Sequence, residues 1–453
     1  MSTSRFKTLH ITNYYHKNSG GISTSYNNLL AAAGKLEREA VLIVPGEKEA
    51  VEVVNDFARI YYVPARFSPL FDKRYRIMMP WQYMKSGSPI REIMLKERPD
   101  LVEVTDKYTL SIIGPMIRTN SFKKIGRPIL VHFSCERMDD NVGSFLIGGP
   151  AGAWFARQVI GKYTLPSFDF HIANSVYTAE EFHRSVEKPG RLLQRTWRML
   201  KAPRVELADR VFVCPRGVDS VQFTPERRSD EARSRMIELA GVPADAFISL
   251  YAGRISPEKN IGLLVEMMRE LSADSDRDHR LLVAGAGPQE EWLRKEGEKL
   301  GKGKIVLLGH LDKETLADLY ANADAFVHPN PKEPFGIAPL EAMASGVPTV
   351  APRAGGILSY ATDENAWLLP AEGKAFADAV RSIAADPATA RLRSEKAVKT
   401  ARANTREAAT QRLFETYDRI YEEFHSRRDL YTDREASASF DHLELLRDRK
   451  RSR

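Results

Sequence analysis

Two carboxylates bracket seven residues in Glu333-Pro-Phe-Gly-Ile-Ala-Pro-Leu-Glu341. Pro339 fits a helix only in its first turn, where no intrahelical N–H is needed. A helix is therefore expected to open at Phe335-Gly336-Ile337 and to stop at Gly346, before the strand residues Val347-Pro-Thr-Val350. Glu333 then lies on the entering loop, and Glu341 about one turn inside. The free N–H groups of residues 335–337 suit a phosphate. Carboxylates beside a phosphate suit sugar hydroxyls. The plain alternative is one acidic residue favouring the helix dipole and one exposed glutamate.

The flanking sequence adds charge of the opposite sign. Gly253-Arg254-Ile-Ser-Pro-Glu-Lys259-Asn260 follows an apolar strand and precedes a helix. Arg254 and Lys259 would stand at the carboxyl end of a parallel sheet, where such sheets bind ligands, and two cations there suit a diphosphate. Gly285-Ala-Gly287-Pro288 ends a second strand, and the Glu333 loop follows a later one. The three loops are expected to converge. Asp274-Ser-Asp276-Arg-Asp278 offers acidic residues at metal spacing but sits in a polar run after a helix, and reads as a solvated loop. No metal and no cofactor is expected.

The elements that position these loops alternate regularly. Strands are expected at 8–12, 40–45, 60–63, 101–104, 129–133, 170–174 and 211–215, with helical runs at 26–36 and 90–97. A second set begins at 247–253 and continues through 281–285, 305–309, 325–328 and 349–351. Its helices are expected at 261–271, 289–300, 313–321 and 337–345. Such alternation predicts an α/β chain of two doubly wound, Rossmann-like domains. The break at Pro215-Arg-Gly217 places a first domain at 1–215 and a second at 216–400. A closing helix is expected at 401–425, and a basic polar tail, partly disordered, at 426–453.

These motifs resemble the retaining group 1 nucleotide-sugar glycosyltransferases of GT-B architecture, in which two Rossmann-like domains face each other across a cleft and C-terminal helices pack back. The resemblance is carried by Gly253-Arg254 with Lys259-Asn260, Gly285-Ala-Gly287, Asp324-Ala-Phe-Val, Glu333 through Gly346-Val-Pro, and Gly355-Gly356. It is tight over residues 250–370 and looser in the first domain, through Gly20-Gly21 and Asn174-Ser175. It implies transfer of a hexose from a UDP- or GDP-linked sugar to a hydroxyl of a glycan or lipid-linked acceptor. Arg254 and Lys259 would hold the diphosphate, with Gly285 and Gly287 nearby. Backbone N–H groups of Phe335, Gly336 and Ile337 would approach sugar and phosphate. Glu333 would bind the transferred sugar, Glu341 the ribose, and Gly21 would face the distal phosphate. The family also carries a histidine after the strand matching 129–133. His132 is assigned that catalytic place, with Cys135 as the alternative. The rival readings are a sugar-nucleotide binding protein without turnover, and a donor-cleaving enzyme of another class, such as an epimerase. The Cys135 ambiguity favours the first of these. Intact Arg254, Lys259, Glu333 and Glu341 favour the transferase.

The chain has 453 residues, 43% hydrophobic and 28% charged, ordinary for a globular protein. Two cysteines, Cys135 and Cys214, make neither a disulfide framework nor a metal site. Met1-Ser-Thr-Ser-Arg-Phe-Lys leads straight into a strand, so no secretory leader and a cytoplasmic location are expected. The net charge of +7 favours anionic partners, but no nucleic-acid-binding pattern is present. The run from Arg191 to Lys201 reads as a basic amphipathic helix, with Arg191, Arg195 and Arg198 on one face and Trp197 on the other. One reading is reversible association with an anionic membrane surface. The other is packing on the first domain.

Overall fold

The computed structural model describes residues 6–15, 21–68, 76–145, 149–273 and 277–447. The chain divides into two compact units, Met1–Pro215 with Thr410–Arg453, and Arg216–Ala409.

The first unit is built on eight strands. They are β1 (Thr8–Ile11), β2 (Ala40–Gly46), β3 (Ala50–Asn55), β4 (Ala58–Pro64), β7 (Leu101–Val104), β8 (Ile129–Ser134), β9 (Phe170–Ala173) and β10 (Val211–Val213). A separate short ribbon pairs β5 (Arg66–Phe67) with β6 (Arg76–Ile77). Across the main sheet the order is β10-β9-β8-β7-β1-β2-β4-β3. All neighbours are parallel except β3 and β4. The antiparallel edge strand departs from the purely parallel sheet expected. It is the first arm of the β3–β4 hairpin, and its Val51, Val53 and Val54 are exposed.

The second unit carries β11 (Phe247–Ala252), β12 (His279–Ala284), β13 (Ile305–Gly309), β14 (Ala325–Val327), β15 (Thr349–Pro352) and β16 (Trp367–Leu369). Their order is β13-β12-β11-β14-β15-β16, all parallel. Successive side chains of a strand point to opposite faces, and β11 shows the consequence. Ile248, Leu250 and Ala252 enter one apolar core, and Phe247 and Tyr251 enter another. Both faces are covered by helices, which is why the strand is a nearly continuous apolar run. In chain order the six strands lie 3-2-1-4-5-6, so the order reverses between β11 and β14. Ligands of open α/β sheets bind beyond the strand ends at that reversal.

The tail departs from expectation. Residues 427–447 are not loose within the described range. They form three short helices, Arg428–Thr432, Arg434–Ser439 and Glu444–Arg447. Tyr431, Ser437 and His442 are buried. The Arg204 N–H donates to the Leu430 carbonyl at 2.9 Å, and Gln194 Nε2 to the Phe440 carbonyl at 2.7 Å. A few anchors, not helical periodicity, attach this polar segment. Residues 448–453 lie outside the described range.

A buried ionic knot completes the attachment. Arg118 and Arg127 both pair with Asp169, the second at 2.7 Å. Arg118 Nη1 also donates to the carbonyls of Lys201 and Tyr431, at 3.0 and 3.2 Å. Burial alone would raise the Asp169 carboxyl, but the two guanidiniums outweigh it and hold it below the usual range. Removing one partner of a buried pair typically costs about 3–5 kcal/mol, because a charge is left uncompensated. Arg118→Ala is expected to lose that much in urea unfolding. A loss under about 1 kcal/mol would show that Arg127 alone satisfies Asp169.

Candidate functional site

The loops at the carboxyl edge of the second sheet are tied together by backbone bonds. The Gly253 N–H donates to Ala284 at 3.0 Å, Ile255 to Ala286 at 3.1 Å, and Gly285 to Gly309 at 2.7 Å. A Cβ on Gly285 would lie 1.9 Å from the Gly253 carbonyl oxygen, and one on Gly287 would lie 2.2 Å from that of Ile255. The close approach of two loops thus accounts for both glycines. Arg254, expected on the diphosphate, stands exposed just past β11, and its carbonyl accepts the Tyr251 hydroxyl at 2.9 Å.

The loops after β11 and β14 meet where the strand order reverses. Lys259 Nζ lies 2.7 Å from Glu333 Oε2. Asn260 Nδ2 donates to the Pro329 carbonyl at 3.0 Å, pinning one loop to the other. Asn330 Nδ2 adds a bond to Glu333 Oε2 at 3.1 Å. His328 Nε2 stands 3.7 Å from the same oxygen. Burial would raise the Glu333 carboxyl; Lys259, His328 and Asn330 overcome it and hold it at about 2. Glu333 is therefore held ionised beside a cation.

The helix expected at 337–345 is Ile337–Ala344. Gly336 caps it with φ 89°, a left-handed conformation that a residue with a Cβ adopts at a cost. The Tyr360 hydroxyl donates to the Gly336 carbonyl, and the Gly356 N–H donates to the Glu333 carbonyl at 2.7 Å. The Gly355-Gly356 pair thus braces the Glu333 loop from behind. The Phe335 ring is buried, 5.2 Å from that of Tyr360, so this residue presents only backbone to a ligand. Ile337 is half-buried at the first helical position. Glu341, one turn on, accepts the Tyr320 hydroxyl at 3.2 Å. Burial pushes its carboxyl up to about 7, with Tyr320 and Lys313 opposing. The two glutamates of one motif thus differ sharply in proton affinity, because only Glu333 has a cation in contact.

His132 is corrected by the structure. It is an inner residue of β8, wholly buried, with its ring 5.5 Å from Phe168, 5.7 Å from His171 and 5.8 Å from Phe182. Burial, helped by Lys107, pushes its imidazole well below the ordinary value. A neutral ring enclosed by aromatic side chains cannot face a substrate. Cys135 is also buried, and its carbonyl accepts Asn174 Nδ2 at 3.0 Å. Glu136, the next residue, is half-buried, and the Tyr14 hydroxyl lies 3.4 Å from its Oε1. It is the first carboxylate after β8, and the sequence reading gave it no role. Gly21 begins the helix Gly21–Lys35 of the first unit; Gly20 lies outside the described residues.

Of the acidic run, Asp274 and Asp276 lie outside the described residues. Asp278 is held by Arg280 and Lys304, each at 2.7 Å. Among the described residues no group of three or more His, Cys, Asp or Glu side chains is placed to hold a metal. The basic helix, Arg191–Met199, packs within the first unit. Trp197 is buried and donates its indole N–H to the Gly161 carbonyl at 2.8 Å, and Arg198 Nε donates to Phe440 at 2.8 Å. Leu193, Trp197 and Leu200 of the apolar face and one of the three arginines are therefore committed inside the protein, while Leu192 is exposed. No helix among the described residues is long and apolar enough to cross a membrane.

Comparison with known proteins bears on the family and the fold. Residues 234–403 match the family model for glycosyl transferases group 1. The chain is 27% identical over 388 residues to a GDP-mannose-dependent alpha-(1-6)-phosphatidylinositol dimannoside mannosyltransferase of Mycobacterium tuberculosis, covering 85% of this chain and 90% of that protein. It is 28% identical over 353 residues to a GDP-mannose-dependent alpha-mannosyltransferase of Corynebacterium glutamicum, covering 75% and 70%. Among solved structures, a sucrose-phosphate synthase of Thermosynechococcus elongatus superimposes with a TM-score of 0.70 at 20% identity, over 92% of this chain and 100% of that one. That likeness speaks for the fold: two Rossmann-like domains in the GT-B arrangement of elements. The loops tied at the reversal of the second sheet lie within the matched segment, and the chain is a glycosyltransferase that is similar to group 1 over residues 234–403.

Proposed function

We propose that the protein transfers a hexose, with retention at the anomeric carbon, from a nucleoside-diphosphate sugar to a hydroxyl of a glycan or lipid-linked acceptor. The observation that carries this reading is the Lys259–Glu333 pair at 2.7 Å, which sets a cation suited to a diphosphate against a carboxylate suited to sugar hydroxyls. Arg254 and Lys259 hold the diphosphate. Glu333 takes the hydroxyls of the transferred sugar, and Glu341 those of the ribose. The backbone at Phe335, Gly336 and Ile337 approaches sugar and phosphate, and Gly21 serves the distal phosphate. As the sugar–phosphate bond breaks, negative charge grows on the leaving diphosphate, and fixed cations are most useful there. The same cations do the work of a metal, so none is required.

GDP-mannose is the favoured donor, because the two relatives with long coverage are named for it. A lipid-linked acceptor is supported by the Mycobacterium relative's name. The basic helix lends no support to a membrane surface, since Trp197 is buried.

A donor-hydrolysis screen needs no acceptor and tests the reading directly. Slow release of nucleoside diphosphate is expected, faster from GDP-mannose than from UDP-sugars and persisting in excess EDTA. Release from no GDP- or UDP-sugar would overturn the transferase reading. Abolition by EDTA with recovery in Mn²⁺ would overturn metal independence.

A further inference from the structure

His328 follows β14 directly, at the reversal of strand order. Its backbone N–H donates to Val350 at 2.9 Å, so its place is fixed by the sheet. Its ring is buried, 4% exposed, and neither ring nitrogen meets a hydrogen-bond partner among the described residues. An unsatisfied buried polar group costs about 1–3 kcal/mol, and native proteins leave few of them. The ring is nonetheless aimed. Nε2 stands 3.7 Å from Glu333 Oε2, just beyond bonding distance.

That oxygen is already engaged, by Lys259 at 2.7 Å and Asn330 at 3.1 Å. A diphosphate brings strong acceptors and negative charge, and it competes for the same ammonium. Lys259 has a long flexible stem and can turn; Asn330 and His328 sit on a short, braced segment. When Lys259 turns, Glu333 Oε2 loses its strongest donor, and the ring behind it has an N–H to give.

We propose that His328 is a positioning residue for Glu333: when the donor's diphosphate draws Lys259 away, His328 closes onto Oε2 and keeps the carboxylate aimed at the sugar. The inference rests on the donor-site reading above. Supporting it, burial holds the ring neutral down to about 4, with Lys259 adding to this and Glu333 opposing. A neutral imidazole keeps one N–H at neutral pH and can donate without a charge.

Two measurements on the full chain test it. In the wild-type protein, titration with GDP or UDP is expected to shift the ¹⁵N and ¹H resonances of the His328 side chain as the new bond forms. In kinetics, His328→Phe keeps the ring volume and loses the donor. It is expected to lower kcat by about 10–100-fold, the scale of one hydrogen bond to a charged group, with donor Kd within about threefold. His328→Gln supplies an amide N–H near the position of Nε2 and is expected to recover most of that loss. A purely structural histidine would give no such split and no rescue. If neither GDP nor UDP binds, the donor-site reading is overturned and this inference with it. Binding that leaves the His328 resonances unmoved, or His328→Phe with wild-type kcat, overturns this inference alone.

Discussion

Replacing Lys259 by methionine is expected to lower kcat/KM for the donor by about 10²–10³-fold, the scale of losing one fixed donor to a developing charge. Two effects add. The leaving diphosphate loses a cation, and before a donor binds Glu333 loses the contact at 2.7 Å that keeps it ionised. Arg254→Ala, which removes only the first, is expected to lose less. Folding stability gives an independent readout of the second. Glu333 is depressed to about 2 in the folded protein, against about 4.3 in an unfolded chain. Its contribution is therefore fully present above about pH 4.3 and is lost as pH falls toward about 2. The stability gap between wild type and Lys259→Met should be widest near neutrality and narrow through that window. Donor kcat/KM within about threefold of wild type would remove Lys259 from the diphosphate site.

The donor motifs were legible because their chemistry is local. Arg254, Lys259, Glu333 and Glu341 each lie a few residues from a strand end, and a strand end in a parallel sheet fixes which edge a side chain serves. What lay beyond the sequence was long-range. The strand order, and hence the meeting of the β11 and β14 loops, is set by pairings such as Leu250 with Phe326. Glu341 owes its proton affinity to a half-buried place near Tyr320 of another element, and no local pattern signals that. His132 was misplaced because an apolar strand with one histidine does not say which rings will cover it; Phe168, His171 and Phe182 do so from later elements. The 191–201 run has the same pattern whether its apolar face meets lipid or protein, and the Gly161 carbonyl receiving Trp197 decides it. The tail looked unstructured because Tyr431, Phe440 and His442 are spaced without period. Asn330 and His328 carried a faint signal, as polar residues between an apolar strand and the Glu333 loop.

Donor affinity is expected to fall steeply as pH drops below about 7, and Glu341 is the cause. Among the described residues its only side-chain donor is the Tyr320 hydroxyl at 3.2 Å, and burial raises its carboxyl to about 7. An ionised carboxylate can accept from both ribose hydroxyls at once; a protonated one gives up an acceptor position to its own proton. Binding therefore favours the ionised form and releases a proton from any molecule that was protonated beforehand. The sign follows. Where the free protein holds more protons than the complex, raising pH tightens binding, by up to tenfold per unit below about 7 and not at all well above it. Between pH 5.5 and 8 the limiting change is about 30-fold. Glu333 contributes nothing to this slope, being ionised throughout, and His328 stays neutral until about 4. The probe should be an intact nucleoside-diphosphate sugar, because its phosphates are doubly esterified and do not titrate in this range, unlike those of a free nucleoside diphosphate. Glu341→Gln, which accepts through one oxygen at every pH, is expected to bind more weakly at pH 8 and to show a flat profile. The folded protein should respond in the opposite sense. Glu341 binds its proton more tightly folded than unfolded, so without ligand its contribution to stability declines as pH rises from about 4.3 to about 7. Calorimetry in buffers of different ionisation enthalpy counts the released proton. A pH-independent affinity, or a slope that survives in Glu341→Gln, would move ribose recognition away from this residue.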